Sequence, residues 1–377
     1  MSRKRVAVAF GTRPEASKMA PVIYALSKQE GLEPVTFVTG QHREQLDQML
    51  EIFDLSPDAD LDLMKVRQTL PELMGRMIPA AAAKLKDLKL DYVLVHGDTS
   101  TTFAVALAAF FEGIPVGHVE AGLRSFDMQQ PFPEEANRRL TDILTDVDLP
   151  PTEWSKKNLL AEGKKEDRMI ITGNTAVDAV HYQLGQAVLP AGIPREKLVY
   201  ITMHRRENLP VMAGIAGSLA DIAKAYTDYT FIYPVHLNPA VREAVYPAMQ
   251  DVPNIRLEEP FDFLSSLAIQ KHAELIITDS GGIQEEGTSL GKPVVVLRNV
   301  TERPEGVEVG AIKLAGNDPK QVKDIIRDLF ENPAQLGEMR SKPNPYGDGK
   351  ASERIAQAVA WRLGLADKPA DWQLELS

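Results

Sequence analysis

Short runs rich in β-branched and other apolar residues alternate with longer helical patterns along this chain, the first set at 6–10, 35–38, 92–95, 116–119 and 170–172. A run without polar alternation suits a strand buried on both faces, the condition of parallel sheets covered by helices. The pattern restarts at 199–202, 231–234, 255–257, 275–278, 294–297 and 312–314. It predicts two βα domains in tandem, an α/β architecture. Pro190, Gly192 and Pro194 interrupt a helical stretch, so the junction falls between Asn174 and Arg195. The expected organisation is an N-terminal domain over 1–174, a C-terminal domain over 175–357, and a segment 358–377 completing a last helix, near 352–363, that returns to the first domain.

The longest apolar run, 103–111, is far short of the roughly 18 residues that span a bilayer. The run at 6–10 is too short for a signal segment, so the reading is a cytoplasmic enzyme with no membrane partner. Among 377 residues, 42 are basic and 53 acidic, a net charge of −11 that argues against a nucleic-acid partner. Cysteine is absent, which excludes disulfides, a thiolate nucleophile and Cys-ligated metals.

Open α/β sheets bind ligands beyond the carboxyl ends of their strands. Gly11-Thr12-Arg13-Pro14-Glu15 follows the first run, and Lys18 lies one turn into the next helix. A helix N-terminus flanked by Arg13 and Lys18 suits an anion; the alternative is a tight turn with two surface cations. Neither a GxGxxG nor a GxxxxGK[ST] pattern is present there. In the second half Asp279-Ser280-Gly281-Gly282 opens a helix in the same way. Its glycines let backbone approach a phosphate, Ser280 adds a hydroxyl, and Glu286 is placed to accept from a ribose diol or to be merely solvated. Arg303 lies in a further strand-end loop, a contact for a phosphate or a base.

Groups able to move protons occupy the same kind of position. Asp98 follows the run 92–95, Glu120 follows 116–119, and Glu134 opens a helix, where it either projects toward a ligand or favours the helix dipole. His204, beside Arg205 and Arg206, follows 199–202, and His236 ends 231–234. Several acids and a histidine in one crevice are suited to acid–base work. Asp58-x-Asp60-x-Asp62 superficially matches a metal-binding triplet but reads as a solvated loop; with no HExxH motif, no metal is assigned. The GxSxG motif of serine hydrolases is likewise missing.

Taken together these segments resemble the non-hydrolysing UDP-N-acetylglucosamine 2-epimerase family over almost the whole chain. Further matching motifs are Gln41-His42-Arg43-Glu44, Gly117-His118-Val119-Glu120-Ala121-Gly122-Leu123-Arg124, Pro133-Glu134-Glu135-Ala136-Asn137-Arg138, His204-Arg205-Arg206-Glu207-Asn208 and Pro234-Val235-His236-Leu237-Asn238-Pro239. The resemblance implies two Rossmann-like domains facing a central cleft, the glycosyltransferase B-type fold. It implies reversible conversion of UDP-N-acetylglucosamine to UDP-N-acetylmannosamine by a homodimer without a cofactor. UDP leaves C-1 as the C-2 proton is removed, giving 2-acetamidoglucal, and re-adds with C-2 inverted. Asp98, Glu120 and Glu134 are then acid–base groups, with no single base assigned, and His204 stands beside the diphosphate. Arg13, Lys18, Ser280, Gly281, Gly282, Glu286 and Arg303 bind substrate and the UDP that departs.

Bacterial members are also described as needing UDP-N-acetylglucosamine at an effector site, which maps here to Gln41, Glu44, Arg67 and His236. Many relatives carry Gln where this chain has Glu44, and a carboxylate near a diphosphate opposes binding unless Arg43 or Arg67 pairs with it. The competing readings are a glycosyltransferase of the same fold, a hydrolysing epimerase and a non-catalytic nucleotide-sugar sensor.

Overall fold

The computed structural model describes residues 3–40, 43–63 and 68–375. The chain divides into two compact units, the first made of 1–179 with 347–373 and the second of 180–346 with 374–377. The divisions lie later than 174 and earlier than 357, where the apolar pattern places them. Helix Thr175–Gln183 runs on without a break at the first, and the loop from Gly347 packs against Gly173 and Asn174 at the second.

Unit 1 runs β1 (Lys4–Phe10), α1 (Arg13–Lys28), β2 (Leu32–Val38), α2 (Arg43–Ile52), β3 (Ala59–Asp60), α3 (Leu70–Asp87), β4 (Tyr92–His96) and α4 (Ser100–Phe111). It continues through β5 (Val116–Val119), α5 (Glu134–Leu144), β6 (Val147–Leu149) and α6 (Glu153–Ala161), and α7 (Thr175–Gln183) leads out. All six strands are parallel, in the order β3-β2-β1-β4-β5-β6. Residues 6–10 of β1 are wholly buried, as a central strand covered on both faces demands. Small side chains of α4, among them Ala104, Ala106, Ala108 and Ala109, let it press against the sheet and α3.

Unit 2 runs β7 (Leu198–Thr202), α8 (Met212–Ala225), β8 (Thr230–Pro234), α9 (Pro239–Met249), β9 (Ile255–Glu258), α10 (Phe263–His272), β10 (Ala273–Thr278) and α11 (Gly281–Ser289). Then come β11 (Val294–Val296), α12 (Pro304–Glu308), β12 (Ile312–Leu314), α13 (Pro319–Glu331) and α14 (Pro333–Ser341). The order β12-β11-β10-β7-β8-β9 repeats that of unit 1 when each unit is counted from its first strand. Both are Rossmann-like, with the switch point between β1 and β4 in one and between β7 and β10 in the other.

The last helix, α15 (Ala351–Arg362), belongs to unit 1 and packs on α1. Its first amides, of Ala351 and Ser352, donate to the Asp178 carboxylate at 3.2 and 2.7 Å, which caps it from outside. No helix among the described residues is long and apolar enough to cross a membrane.

Two expectations for unit 1 are corrected. Residues 170–172 are extended but form no ladder strand: two amides donate to the carbonyls of Asp148 and Pro150, while Ile171 bonds Asp371 and Trp372 of the returning tail. The sixth strand is instead β6, whose central Asp148 breaks the apolar run. The acidic stretch 58–62 is not all loop, since Ala59–Asp60 adds an edge strand beside β2; Asp58 accepts from the Thr36 amide at 2.7 Å.

Candidate active site

In unit 1 the turns after β1 and β4 are joined by one buried carboxylate. Glu15 Oε2 accepts from the amides of Gly11 and Thr12 at 3.0 and 2.8 Å and from the Thr12 hydroxyl at 2.9 Å. Its Oε1 accepts from the hydroxyls of Thr99 at 2.6 Å and Thr102 at 3.2 Å, at the start of α4. Sequence reasoning passed over Glu15, although Thr12-x-x-Glu15 is a capping-box spacing that signals it.

Lys18, one turn into α1, donates to Glu120 Oε2 at 2.5 Å. Asn174 Nδ2 donates to the same oxygen at 3.1 Å, and His96 Nε2 stands 3.6 Å from it. Glu120 has φ +64, a left-handed conformation that non-glycine residues adopt seldom and often at functional sites. Asp98, after β4, accepts from Arg138 Nη2 at 2.7 Å, and its carbonyl accepts from Asn137 Nδ2 at 2.9 Å. Both donors lie on α5, whose first residue is Glu134. One Glu134 carboxylate oxygen is buried with no hydrogen-bond partner among the described residues. Arg13 is half-buried in the first turn of α1. Arg13, Lys18, Asp98, Glu120 and Glu134 therefore all sit where helices begin or strands end in unit 1.

Below them lies a buried ionic cluster. His118, Asp142 and Asp148 bring ligand-type atoms within 4.8 Å of one another. Both nitrogens of His118 are already engaged, with Asp142 and the Gly97 carbonyl, and Arg124 and Lys164 pair with the two acids. Cations that fill the coordination positions make this an ion network rather than a metal cage.

In unit 2 the organising group is Asp279, fully buried after β10. Its carboxylate accepts from the His204 amide at 3.0 Å, the Arg205 amide at 2.9 Å and Asn208 Nδ2 at 3.0 Å. The turn after β7 is thus wrapped around one carboxylate from β10, presenting the His204 ring, which stacks on His236 with centroids 5.5 Å apart. Burial holds the His204 pKa below its ordinary 6.5; Asp279 opposes this, while Arg205 and His236 reinforce it. The ring is then neutral at pH 7, able to take up a proton when negative charge arrives.

Ser280 stands at the N-cap position of α11 without a side-chain capping bond, and the first amides of that helix lack intrahelical acceptors. A Cβ on Gly281 would lie 2.6 Å from Arg303 Nη1, so the missing side chain is what lets the guanidinium cover the helix start. Arg303 Nε donates to buried Glu285 at 2.5 Å, and Thr301 donates to Gln284 at 3.0 Å, fastening the loop after β11 to α11. Glu286 accepts from Gln270 at 2.6 Å. Arg298, another residue sequence reasoning missed, ties this loop to Glu207 at 2.7 Å and Glu302 at 2.8 Å. Of the effector set, Gln41, Arg67 and the Glu44 side chain lie outside the described residues; His236 is exposed beside His204.

Burial would raise the Glu302 pKa, but hydrogen bonding to Arg298 and the charges of Arg303 and Arg298 lower it from 4.5 to about 2. A folded pKa below the unfolded one gives stability that is complete above pH 4.5 and lost as pH falls toward 2, here at most roughly 3 kcal/mol. Glu302→Gln is therefore expected to lower the urea midpoint at pH 7 and to shrink its fall between pH 5 and 2. An unchanged pH dependence in urea titrations of the variant would refute this.

The family model described as UDP-N-acetylglucosamine 2-epimerase matches residues 24–360. The UDP-N-acetylglucosamine 2-epimerase of Bacillus subtilis (strain 168) is 44% identical over 376 residues, covering 98% of this chain and 99% of that protein. The UDP co-structure of S. aureus MnaA superposes with a TM-score of 0.92 at 42% identity, over 98% of this chain and 100% of that one. The crystal structure of UDP-GlcNAc 2-epimerase from Neisseria meningitidis bound to UDP-GlcNAc gives a TM-score of 0.89 at 44% identity, over 94% and 99%.

Proposed function

The chain belongs to the UDP-N-acetylglucosamine 2-epimerase family, and on that footing we propose that it interconverts UDP-N-acetylglucosamine and UDP-N-acetylmannosamine by eliminating UDP to 2-acetamidoglucal and re-adding it with C-2 inverted. The observation that carries this is that each unit offers one half of the chemistry at its own strand ends, unit 2 an anion cradle at the start of α11 and unit 1 a set of carboxylates. The C-2 proton is only weakly acidic, so its removal depends on stabilising the charge that develops on the departing diphosphate. The α11 amides at Gly281 and Gly282, the Ser280 hydroxyl, Arg303 and His204 supply that stabilisation, with Arg13 and Lys18 adding positive charge. The negative charge of the bound diphosphate raises the basicity of His204, so the ring takes up a proton from solvent as the substrate binds and, as imidazolium, donates it to the departing diphosphate oxygen. Glu286 holds the ribose diol.

Asp98, Glu120 and Glu134 are the proton-transfer groups. Inversion at C-2 needs a proton taken from one face of the sugar and returned to the other, which more than one acid–base group serves. The partly orphaned Glu134 carboxylate and the left-handed Glu120 support this, since both states persist only where surrounding structure enforces them. His236, with Gln41, Glu44 and Arg67, belongs to an effector site for a second UDP-N-acetylglucosamine. A cytoplasmic homodimer feeding polysaccharide synthesis completes the reading.

Proton NMR of the protein with UDP-N-acetylglucosamine in deuterated buffer, without added metal or nicotinamide, tests it. The expected product is UDP-N-acetylmannosamine carrying deuterium at C-2. Free N-acetylmannosamine with UDP would replace this reading by the hydrolysing reaction, and an unchanged spectrum would overturn it.

A further inference from the structure

The chemistry above leaves unused the buried pair beneath the β4–α4 turn. His118, on β5, is fully buried. Its Nδ1 lies 2.5 Å from Asp142 Oδ1 and its Nε2 lies 2.7 Å from the Gly97 carbonyl oxygen. A carbonyl oxygen only accepts, so Nε2 carries a proton. Arg124 donates to the other oxygen of Asp142, which favours the ionised carboxylate and makes it an acceptor for a proton on Nδ1. The ring is then an imidazolium. The cluster is closed by Arg124 with Glu162 at 2.7 Å and Lys164 with Asp148 at 2.8 Å. Burial alone would lower the His118 pKa, but the charge and hydrogen bond of Asp142 and the Gly97 carbonyl raise it.

Gly97 immediately precedes Asp98 and turns the chain with φ +64. Neighbouring groups are held too: the His96 carbonyl by the Thr102 hydroxyl at 2.5 Å, the Gly97 amide by the Val119 carbonyl at 2.9 Å, and the Asp98 carbonyl by Asn137. Among these holds on the turn, the bond to the Gly97 carbonyl is the one with a charged donor, and charged hydrogen bonds are roughly twice as strong as neutral ones.

We infer that His118 is a positioning residue whose imidazolium, fixed by Asp142, sets the Gly97–Asp98 peptide plane and so aims the Asp98 carboxylate at the reacting sugar. This rests on the epimerase reading, in which Asp98 moves a proton. A misplacement of about 1 Å in a reacting group costs on the order of 10²-fold in rate, so a residue that touches no substrate can still govern kcat.

Two near-isosteric substitutions separate positioning from packing. His118→Gln keeps an amide N–H near the place of Nε2, whereas His118→Asn keeps one near Nδ1 and leaves the Gly97 carbonyl without its donor. Epimerisation kcat is expected to fall about 10²-fold in the Asn variant but to stay within about tenfold of the parent in the Gln variant. KM for UDP-N-acetylglucosamine and melting temperature should be similar in the two. Equal kcat in both variants would overturn the proposal. Should neither variant fold, nitrogen-15 NMR of the unsubstituted, histidine-labelled protein decides. One of its seven histidines should keep both ring nitrogens protonated at pH 8, and seven neutral rings would overturn the proposal. An inactive parent protein would sink the epimerase reading while leaving that spectrum readable, so the two failures are distinguishable.

Discussion

Asp98→Asn is expected to lower epimerase turnover by about 10²–10⁴-fold, the usual worth of a positioned acid–base group. The substitution is isosteric and keeps an acceptor for Arg138 Nη2, now 2.7 Å from the carboxylate, and for Asn137 on the unchanged backbone carbonyl. What disappears is the capacity to take or give a proton. UDP affinity should be largely unchanged, because Asp98 is assigned to proton transfer and the substitution keeps the oxygen that Arg138 bonds. Deuterium incorporation at C-2, followed by NMR, together with titration calorimetry of UDP, reads both quantities. Full turnover in the variant removes Asp98 from the chemistry. A loss of UDP binding as large as the loss of turnover would instead make it a binding group.

The second large effect concerns Asp279, whose carboxylate gathers the amides of His204 and Arg205 and the Asn208 side chain. Asp279→Asn keeps the shape but turns one acceptor into a donor facing donors. Leaving such buried groups unpaired costs about 1–3 kcal/mol each. A loss of roughly 3–5 kcal/mol is expected, the range for breaking a buried charged network by altering one partner. All three tryptophans, Trp154, Trp361 and Trp372, lie in unit 1, so far-UV circular dichroism in urea is the suitable probe. Hydrogen exchange of the 203–208 peptide localises the effect, because the His204 and Arg205 amides and the Asn208 side chain then share one oxygen where they had two. Unaltered exchange there would show that Asp279 does not hold this turn. UDP binding should weaken with it, since His204 is presented by that turn.

The strands of unit 2 were all legible: β7, β10 and β11 are apolar runs buried almost throughout, and even the edge strands β9 and β12 keep apolar residues at alternate positions around Arg256 and Lys313. In unit 1 the central strands β1, β2, β4 and β5 were legible for the same reason, whereas the buried run 170–172 was misread as a strand because its burial comes from the returning tail. Two-residue β3 has no period to detect, and β6 carries Asp148, which is buried with Lys164 and the Thr145 hydroxyl on its carboxylate. Of the candidate site, residues placed at strand ends could be named from sequence, since α/β topology alone puts them there. Their supports could not: Asp279, Arg298 and His118 acquire meaning from partners 21 to 91 residues away, and the sequence prints no such pairing. Glu15 is the exception, as its spacing from Thr12 is local.

Unit 1 is built from two separated stretches of chain with almost all of unit 2 between them. During synthesis, N-terminal segments emerge first and domains tend to fold as units. Here the ribosome completes unit 2 up to Tyr346 while unit 1 still lacks α15, the helix that packs on α1 and receives its cap from Asp178. The half that appears first is finished last. For that interval the α1 surface destined for α15 is uncovered on the nascent chain, a stage at which a chaperone has apolar surface to grasp and a premature stop after 346 would strand an unclosed domain.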